Sequence, residues 1–447
     1  MHPGLASSFA LLHAGAMAPP TTSRKVGGSA LTTAQFLLLF AAMLVAAAGN
    51  TALQSVMPAI GREIGIADFW VAIAYTWSAV LWVWLAPYWA EKSDHHGRKA
   101  LTLLGVAGFI VSMTLCGAVL VAGLHGWISG ALTFILFGIF RAIYGSLGCA
   151  TPSATQAYLA SKTRRAARTS ALSALSSSFG LGTIVGPALA PLFVLPFVGL
   201  SGPLFAFAIV AVAVYIAIQV WLPNDLASER GGRGAAMSYP SLASMITGAS
   251  VKAATAPRST KRLSWRDPRI KGWIVAGVAS GHAQAATLTC IGFFIIDQLR
   301  LEPSGAAASI AIVMMAGAAG TLAAQWGMIP RLAMSPRALI IWGSLIAAVG
   351  TVITMLATDL YGLVLGFSVS SIGFGFTRPG FTAGASLAVP LAEQGGVAGV
   401  ITSANGISYI AAPSVGMALY TLDPHLPFGV AALLLLALVV WARRALD

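Results

Sequence analysis

Three ionisable side chains lie inside long apolar runs, where bulk water does not solvate their charge. Arg141 and Arg378 are cations that could bind an anionic group, and His282 titrates near neutral pH and can carry a proton. A charged arginine in hydrocarbon costs at least about 2.5 kcal/mol, so each should face the protein interior. Each residue also has a purely structural alternative. Arg141 could bond carbonyls of the first helix, Arg378 could bond the kinked backbone of its own helix, and His282 could be a hydrogen-bonded packing residue.

Uncharged polar and aromatic residues accompany these three inside the apolar runs. We predict that they and Arg378 line a substrate cavity, whose members are Asn50, Gln54, Tyr75, Trp82, Tyr144, Gln284 and Arg378. For Tyr75 and Trp82, contact with lipid or plain packing is an equal alternative. All 13 acidic residues fall in predicted loops or at helix ends, so no carboxylate is expected in the middle of the membrane.

The composition shows what kind of chain must position these residues. Of its 447 residues, 57% are hydrophobic and only 9% are charged, whereas a soluble domain carries about 25% charged residues. A soluble enzyme is thereby excluded, as is disorder over most of the length. The net charge of +13 lies in short loops and so concerns membrane topology, not nucleic acid. The three cysteines lie in apolar runs, which argues against a disulfide framework.

Twelve segments are long and apolar enough to cross a bilayer, which takes about 20 residues. They predict an all-α integral membrane protein with two six-helix bundles at 32–223 and 270–447, a tail at 1–31 and a linker at 224–269. A start at Met17 instead of Met1 stays open. The predicted helices are 32–58, 68–90, 100–122, 128–160, 170–196, 203–223, 270–297, 304–330, 337–357, 361–388, 397–420 and 426–444.

The cationic residues predict the orientation of these helices. With the N-terminus inside, only Arg62 and Arg300 fall in outer loops, and Arg141 and Arg378 lie within helices. The other 22 of the 26 Lys and Arg residues fall on the inner side. Because inner loops are enriched in Lys and Arg, we expect both termini to be cytoplasmic in a multi-pass protein of the inner membrane.

The two halves of the chain contain matching residues. Gly180 and Pro187 in the fifth predicted helix have counterparts in Gly406 and Pro413 of the eleventh, each 226 residues further on. This spacing predicts a duplicated six-helix unit, and parallel repeats of that kind occur in transporters.

The connection between the second and third helices is WAEKSDHHGRKAL, from Trp89 to Leu101. It resembles the signature loop of the major facilitator superfamily, G-x-x-x-D-x-x-G-R-K, with an alanine in place of the first glycine. The resemblance implies a gating role for Asp94, Gly97, Arg98 and Lys99. By the repeat, Arg331 stands where Asp94 stands in the first half, so the two could attract when the cytoplasmic side closes. The alternative is that Arg98 and Lys99 only anchor the topology.

Two further segments resemble the same superfamily. The stretch from Arg141 to Ala150 is similar to its fourth-helix motif, with Tyr144 in place of the usual glutamine, and the resemblance implies that Arg141 takes part in proton coupling. Gly182, Gly186 and Pro187 resemble the fifth-helix signature of the drug:proton antiporter branch, although that signature's final two glycines are absent.

These resemblances imply a secondary transporter that works by alternating access. We expect proton-coupled export of a small lipophilic or amphiphilic compound, with Arg141 and His282 coupling the proton. The antiporters commonly carry a carboxylate in helix 1, where this chain has Asn50 and Gln54. An uncoupled facilitator, or an importer of an organic anion, is therefore the alternative. We expect a monomer in the lipid bilayer that acts on a small molecule and protons, with no nucleic-acid partner, cofactor, metal or enzyme activity.

Overall fold

The computed structural model describes residues 31–163, 165–224, 264–390 and 393–446, so the predicted tail and most of the predicted linker lie outside the described residues. Within these ranges the chain forms twelve long helices and no extended sheet. They are α1 (Thr33–Glu63), α2 (Asp68–His96), α3 (Arg98–Leu124), α4 (Gly130–Lys162), α5 (Arg165–Leu189), α6 (Gly202–Trp221), α7 (Pro268–Leu299), α8 (Ala307–Leu332), α9 (Pro336–Leu356), α10 (Leu360–Leu387), α11 (Gln394–Leu422) and α12 (Leu426–Ala445).

Apolar composition and length make most of these helices suited to a bilayer. Ten of the twelve are long and apolar enough to cross it; α5 and α11 are not among the ten, and near α5 only Ser177–Phe193 forms a shorter apolar helix. Several helix starts are capped, as where the Thr32 hydroxyl accepts from the Gln35 amide at 3.2 Å and the Gln35 side chain accepts from the Thr32 amide. The chain is a multi-pass membrane protein.

The helices pack mainly within two sets, α1–α6 (the first set) and α7–α12 (the second set). In the first set α1 packs against α5 and α6, and α3 packs against α4 and α6. In the second set α10 packs against α8 and α9, and α7 packs against α11 and α12. The sets meet chiefly where α2 lies along α11 and α5 lies along α8. The exact domain boundaries stay a prediction.

The junction of α2 and α3 differs from the expected loop. The second helix was expected to end near 90 and the third to begin near 100, but α2 continues to His96 and α3 begins at Arg98. Gly97 alone joins them, with φ of 89°, a conformation that favours glycine. Asp94 therefore lies in the last turn of α2. It precedes α3, as expected, but it lies in a helix and not in the expected loop.

Two other predicted helices are interrupted or shortened. The fourth, predicted as one continuous helix, contains a π-helical turn at Tyr144–Gly148. The fifth was expected to reach 196, but α5 ends at Leu189 and a 3-10 turn follows at Ala190–Phe193. Pro191 has no N–H to continue an α-helical ladder, which accounts for the tighter turn.

Candidate functional site

A cavity of about 70 Å³ lies between the two sets of helices. Its lining comes from α1, α2, α7, α8 and α11, so both sets form its walls. The polar lining residues are Gln54, Tyr75, Thr289 and Tyr409. Its walls are otherwise apolar and include Met57, Pro58, Leu288, Phe293, Met314 and Pro413. An apolar cavity with a few convergent polar groups is the usual form of a small-molecule site.

Arg141 is fully buried beside this cavity. Its Nη2 donates a hydrogen bond to Oδ1 of Asn50, so α4 and α1 are joined in the interior of the first set. The guanidinium carbon also lies 5.7 Å from the ring centre of Tyr75 and 4.6 Å from that of Tyr144. Aromatic faces attract cations at such distances. Because Tyr75 lines the cavity, it separates the charge of Arg141 from the cavity by one aromatic ring.

The local backbone holds Arg141 in this position. The Ser78 hydroxyl of α2 donates to the Arg141 carbonyl at 3.2 Å, and a Cβ at Gly145 would lie 2.5 Å from the Ser78 carbonyl oxygen. The π-helical turn that follows places Tyr144 against Trp82, with ring centres 5.3 Å apart. Trp82, predicted to line the cavity, is buried against Tyr144 and is not part of the cavity wall. Wide turns of this kind are frequent at functional sites.

His282 extends one face of α7 beyond the cavity. Its Nδ1 donates to the Val278 carbonyl at 2.8 Å. A carbonyl can only accept, so Nδ1 carries the hydrogen of this bond. His282 precedes the lining residues Ala285 and Thr289 by three and seven positions, and these spacings share one helix face. Both His282 and Gln284 are half-buried, and neither lines the cavity itself.

Arg378 provides a second buried cation, in α10 of the second set. It interacts electrostatically with Tyr409 of α11, which lines the cavity. Its own carbonyl accepts from the Thr382 hydroxyl at 3.0 Å, next to Pro379 in the helix. Each set thus places one arginine behind a tyrosine that faces the cavity, although Arg378 itself does not line it.

The predicted gating residues lie at helix ends away from the cavity. Arg98 is buried at the start of α3, and Lys99 donates to the Gln219 carbonyl of α6 at 2.8 Å. Arg331 donates to the Gly327 carbonyl of its own helix at 3.2 Å. The side chain of Asp94 lies outside the described residues, so its attraction to Arg331 stays a prediction.

An ion-pair group lies at the start of α7. Asp267 caps this helix, and the guanidinium of Arg269 bonds Asp267 at 2.8 Å and Glu393 at 2.7 Å. The neighbouring Arg269 side chain and its amide hold the pKa of Asp267 below its usual value. This pair joins two elements of the second set only.

The glycines of the fifth-helix motif lie against α1. A Cβ at Gly182 would be 2.8 Å from the Leu44 carbonyl oxygen, and one at Gly186 would be 2.2 Å from that of Ala48. The Thr51 hydroxyl also donates to the Gly182 carbonyl at 3.2 Å. The motif, with the buried Pro187 after it, therefore forms a close helix contact inside the first set.

A cluster of charges that the sequence analysis missed joins the two sets at one end of the cavity. It comprises Arg62 at the end of α1, Asp68 at the start of α2, Asp297 at the end of α7 and Tyr420 of α11, here named the Arg62 cluster. Arg62 binds Asp68 at 2.6 Å and binds Asp297 through both carboxylate oxygens. The Tyr420 hydroxyl donates to Asp297 at 2.5 Å. The available signal was that the predicted topology puts all four helix ends on one face of the membrane.

The sequence profile of the Major Facilitator Superfamily matches residues 39–413. The chain belongs to this superfamily. Solved transporter structures share the fold of this superfamily member. The human organic anion transporter MFSD10 (TETRAN) is 16% identical with a TM-score of 0.63, covering 92% of this chain and all of the other. The nucleoside transporter NupG, as its D323A mutant, is 10% identical with a TM-score of 0.70 and the same coverages.

A further similar structure is a POT family transporter in complex with a thioalcohol-conjugated peptide. It is 13% identical with a TM-score of 0.66, and the match covers 92% of this chain and 96% of the other. No curated protein sequence matches this superfamily member. At these identities the likeness concerns the fold alone. Superfamily membership indicates a transporter of small molecules, not an enzyme.

Proposed function

We propose that this protein is a secondary transporter that exports a small lipophilic or amphiphilic compound in exchange for protons. The compound binds in the cavity between the two sets, which then opens alternately to either face of the membrane. The observation that carries this proposal is the cavity itself. Its walls are mostly apolar, its few polar groups include Gln54 and Tyr75, and it is formed by helices of both sets.

The proposed route of proton coupling uses His282 and Arg141. In this proposal His282 donates from Nδ1 to the Val278 carbonyl and takes up the coupling proton on Nε2, on the helix face that continues into the cavity lining. Protonation of His282 adds a positive charge near a cavity that already has Arg141 behind Tyr75. The added charge changes the electrostatic potential in the cavity, and this change couples the proton to substrate affinity.

The second candidate is an uncoupled facilitator, or an importer, of an organic anion. One observation favours it: each set places a buried arginine behind a cavity-lining tyrosine, Arg141 behind Tyr75 and Arg378 behind Tyr409. Two such cations make the cavity positive, and tyrosine hydroxyls can donate to an anionic head group. The apolar walls would hold the remainder of an amphiphilic anion.

Reconstitution in liposomes with an internal pH-sensitive dye distinguishes the two candidates. Lipophilic cations, neutral drugs and organic anions are added with and without a pH gradient. Under the leading proposal, one class drives proton flux that is lost in His282→Ala and strongly reduced in Arg141→Lys. His125→Ala is the matched control, because this exposed histidine at the far end of α3 bonds the Phe197 carbonyl.

Each outcome assigns the function. Flux that is lost in His282→Ala but kept in His125→Ala supports antiport with His282 as a coupling group. Transport that ignores the pH gradient contradicts antiport and favours the facilitator. Uptake of organic anions alone, lost in Arg378→Gln, supports the second candidate.

A further inference from the structure

The Arg62 cluster contains bonds within each set of helices and bonds that cross between the sets. Arg62 and Asp68 both belong to the first set and are separated by only the short α1–α2 turn. Asp297 and Tyr420 both belong to the second set, on the neighbouring helices α7 and α11. The bonds between Arg62 and Asp297 are therefore the ones that cross from one set to the other.

The cluster lies directly over one end of the cavity. The guanidinium carbon of Arg62 is 5.6 Å from the ring centre of Phe293, a residue of the cavity wall. One residue before it, Gly292 touches Pro58 so closely that a Cβ there would be 2.5 Å from Pro58 Cγ. Here α1 and α7 are in contact, and the cavity cannot open at this end unless the Arg62–Asp297 bonds break.

We propose that the Arg62 cluster is a gate in which Asp297 holds the closed state and Asp68 favours the open state. When the sets separate, Arg62 keeps Asp68 as its partner, because both move with the first set. Asp297 keeps the hydroxyl of Tyr420, because both move with the second set. Each charged group thus keeps one hydrogen-bonding partner after the sets separate, so opening leaves no charge unpaired. This proposal rests on the alternating access of the proposed function, but not on its substrate or on protons.

The two carboxylates should then act with opposite sign. Asp297→Asn removes the charge that holds Arg62 across the interface, and so favours opening. Asp68→Asn removes the partner that Arg62 keeps after opening, and it also relieves the repulsion between the two carboxylates in the closed cluster. Asp68→Asn therefore stabilises the closed state relative to the open state. Asp297→Asn does the opposite, although both substitutions remove a carboxylate partner of Arg62.

Labelling of a cavity cysteine measures this opening without any substrate. Thr289→Cys is introduced into the cavity wall, and an impermeant maleimide is applied to the cluster side of sealed vesicles. The native Cys116, Cys149 and Cys290 are buried, and the unsubstituted protein gives their background. Because slow labelling follows the open fraction, Asp297→Asn should speed it about fivefold, as expected for a part-buried ion pair. Asp68→Asn should slow it about twofold or more.

Three variants complete the test. Tyr420→Phe should speed labelling less than Asp297→Asn does. The double variant Arg62→Asp with Asp297→Arg should label more slowly than either single variant, which also shows that the singles remain folded. Arg269→Gln is the matched control, since it breaks an ion pair inside the second set at the opposite end of α7.

Changes of the same sign in Asp68→Asn and Asp297→Asn, or no change in either, would overturn the proposal. A gate that behaves as expected in a protein without substrate-driven proton flux would leave the gate intact and reject the coupling. Proton flux in a protein whose labelling does not respond to these substitutions would support the coupling and reject the gate.

Discussion

Arg141 is a cation in the interior of the first set. Its charge is fully buried, and an amide oxygen and two aromatic faces surround it. A hydrogen bond to a charged group contributes about 1.5–3 kcal/mol, because the buried ion cannot turn to water instead. Asn50 is therefore as much a part of this centre as the arginine.

Asn50→Ala removes the amide oxygen that accepts from Arg141 and should lower the free energy of unfolding by about 2 kcal/mol. The measurement is thermal unfolding in detergent. Ser55→Ala is the control, because this buried hydroxyl bonds the Ala52 carbonyl of its own helix, one turn away. If both variants lose the same free energy of unfolding, the hydrogen bond from Arg141 to Asn50 contributes no more than the local Ser55 bond.

Two of the four polar residues in the cavity wall, Gln54 and Tyr75, were predicted from sequence to line a cavity, whereas Thr289, Tyr409, the apolar walls and the Arg62 cluster were not. Asn50, Arg141 and His282 stand out because polar groups are costly in hydrocarbon, so their types alone mark them. Met314 and Phe293 line the cavity but look like any apolar residue of a membrane helix. Their role depends on the rotation of each helix, for which one sequence gives no signal.

The helix contact between α1 and α5 shows how small residues set the distance between elements. Gly182 and Gly186 face carbonyl oxygens of α1 that a side chain would strike. The oxygens belong to backbone, so they cannot turn aside as the end of a flexible side chain could. The helices must separate if either glycine gains a Cβ.

Gly186→Ala should lower the free energy of unfolding by about 1–3 kcal/mol, the usual penalty for an overpacked interior. Gly138→Ala in α4 is the matched control, because a Cβ there meets nothing within 4 Å. The control should gain about 0.5–1 kcal/mol from the better helix propensity of alanine. Thermal unfolding of both variants checks this, and a stabilised Gly186→Ala would refute the contact argument.

At the element scale, sequence located the helices better than their ends. Hydropathy detects where side chains become polar, but α2 continues to His96 past its last apolar residue because backbone hydrogen bonds do not require apolar side chains. The wide turn at Tyr144–Gly148 was also missed, because its residues differ little from those of an ordinary membrane helix.

At the largest scale, the described helices form two sets that meet along a few lines of contact. Besides the Arg62 cluster, the hydroxyls of Thr76 and Ser414 lie 3.2 Å apart across the α2–α11 contact, and a Cβ at Gly406 would be 2.6 Å from the Val83 side chain. Contacts between small groups of this kind can slide with little rearrangement. We expect the asymmetric distribution of Lys and Arg to set which membrane face each helix end meets.

A topology measurement checks that orientation. Because most Lys and Arg residues fall on one predicted face, green fluorescent protein fused after Asp447 should fluoresce, and alkaline phosphatase fused there should be inactive. The control is the same pair of fusions after Arg300, which should give the opposite result. An active phosphatase at the C-terminus would invert the predicted orientation.

The π-helical turn of α4 rotates the second part of that helix about its axis relative to the first part. An ordinary helix advances about 100° per residue, and a π-turn accommodates what amounts to one additional residue. Removing one residue from 144–148 would turn Ala150–Lys162 by about that angle relative to Gly130–Ile143. The extra residue therefore sets the direction in which Pro152 and Gln156 face. It leaves unchanged the direction in which Arg141, earlier in the same helix, faces Asn50.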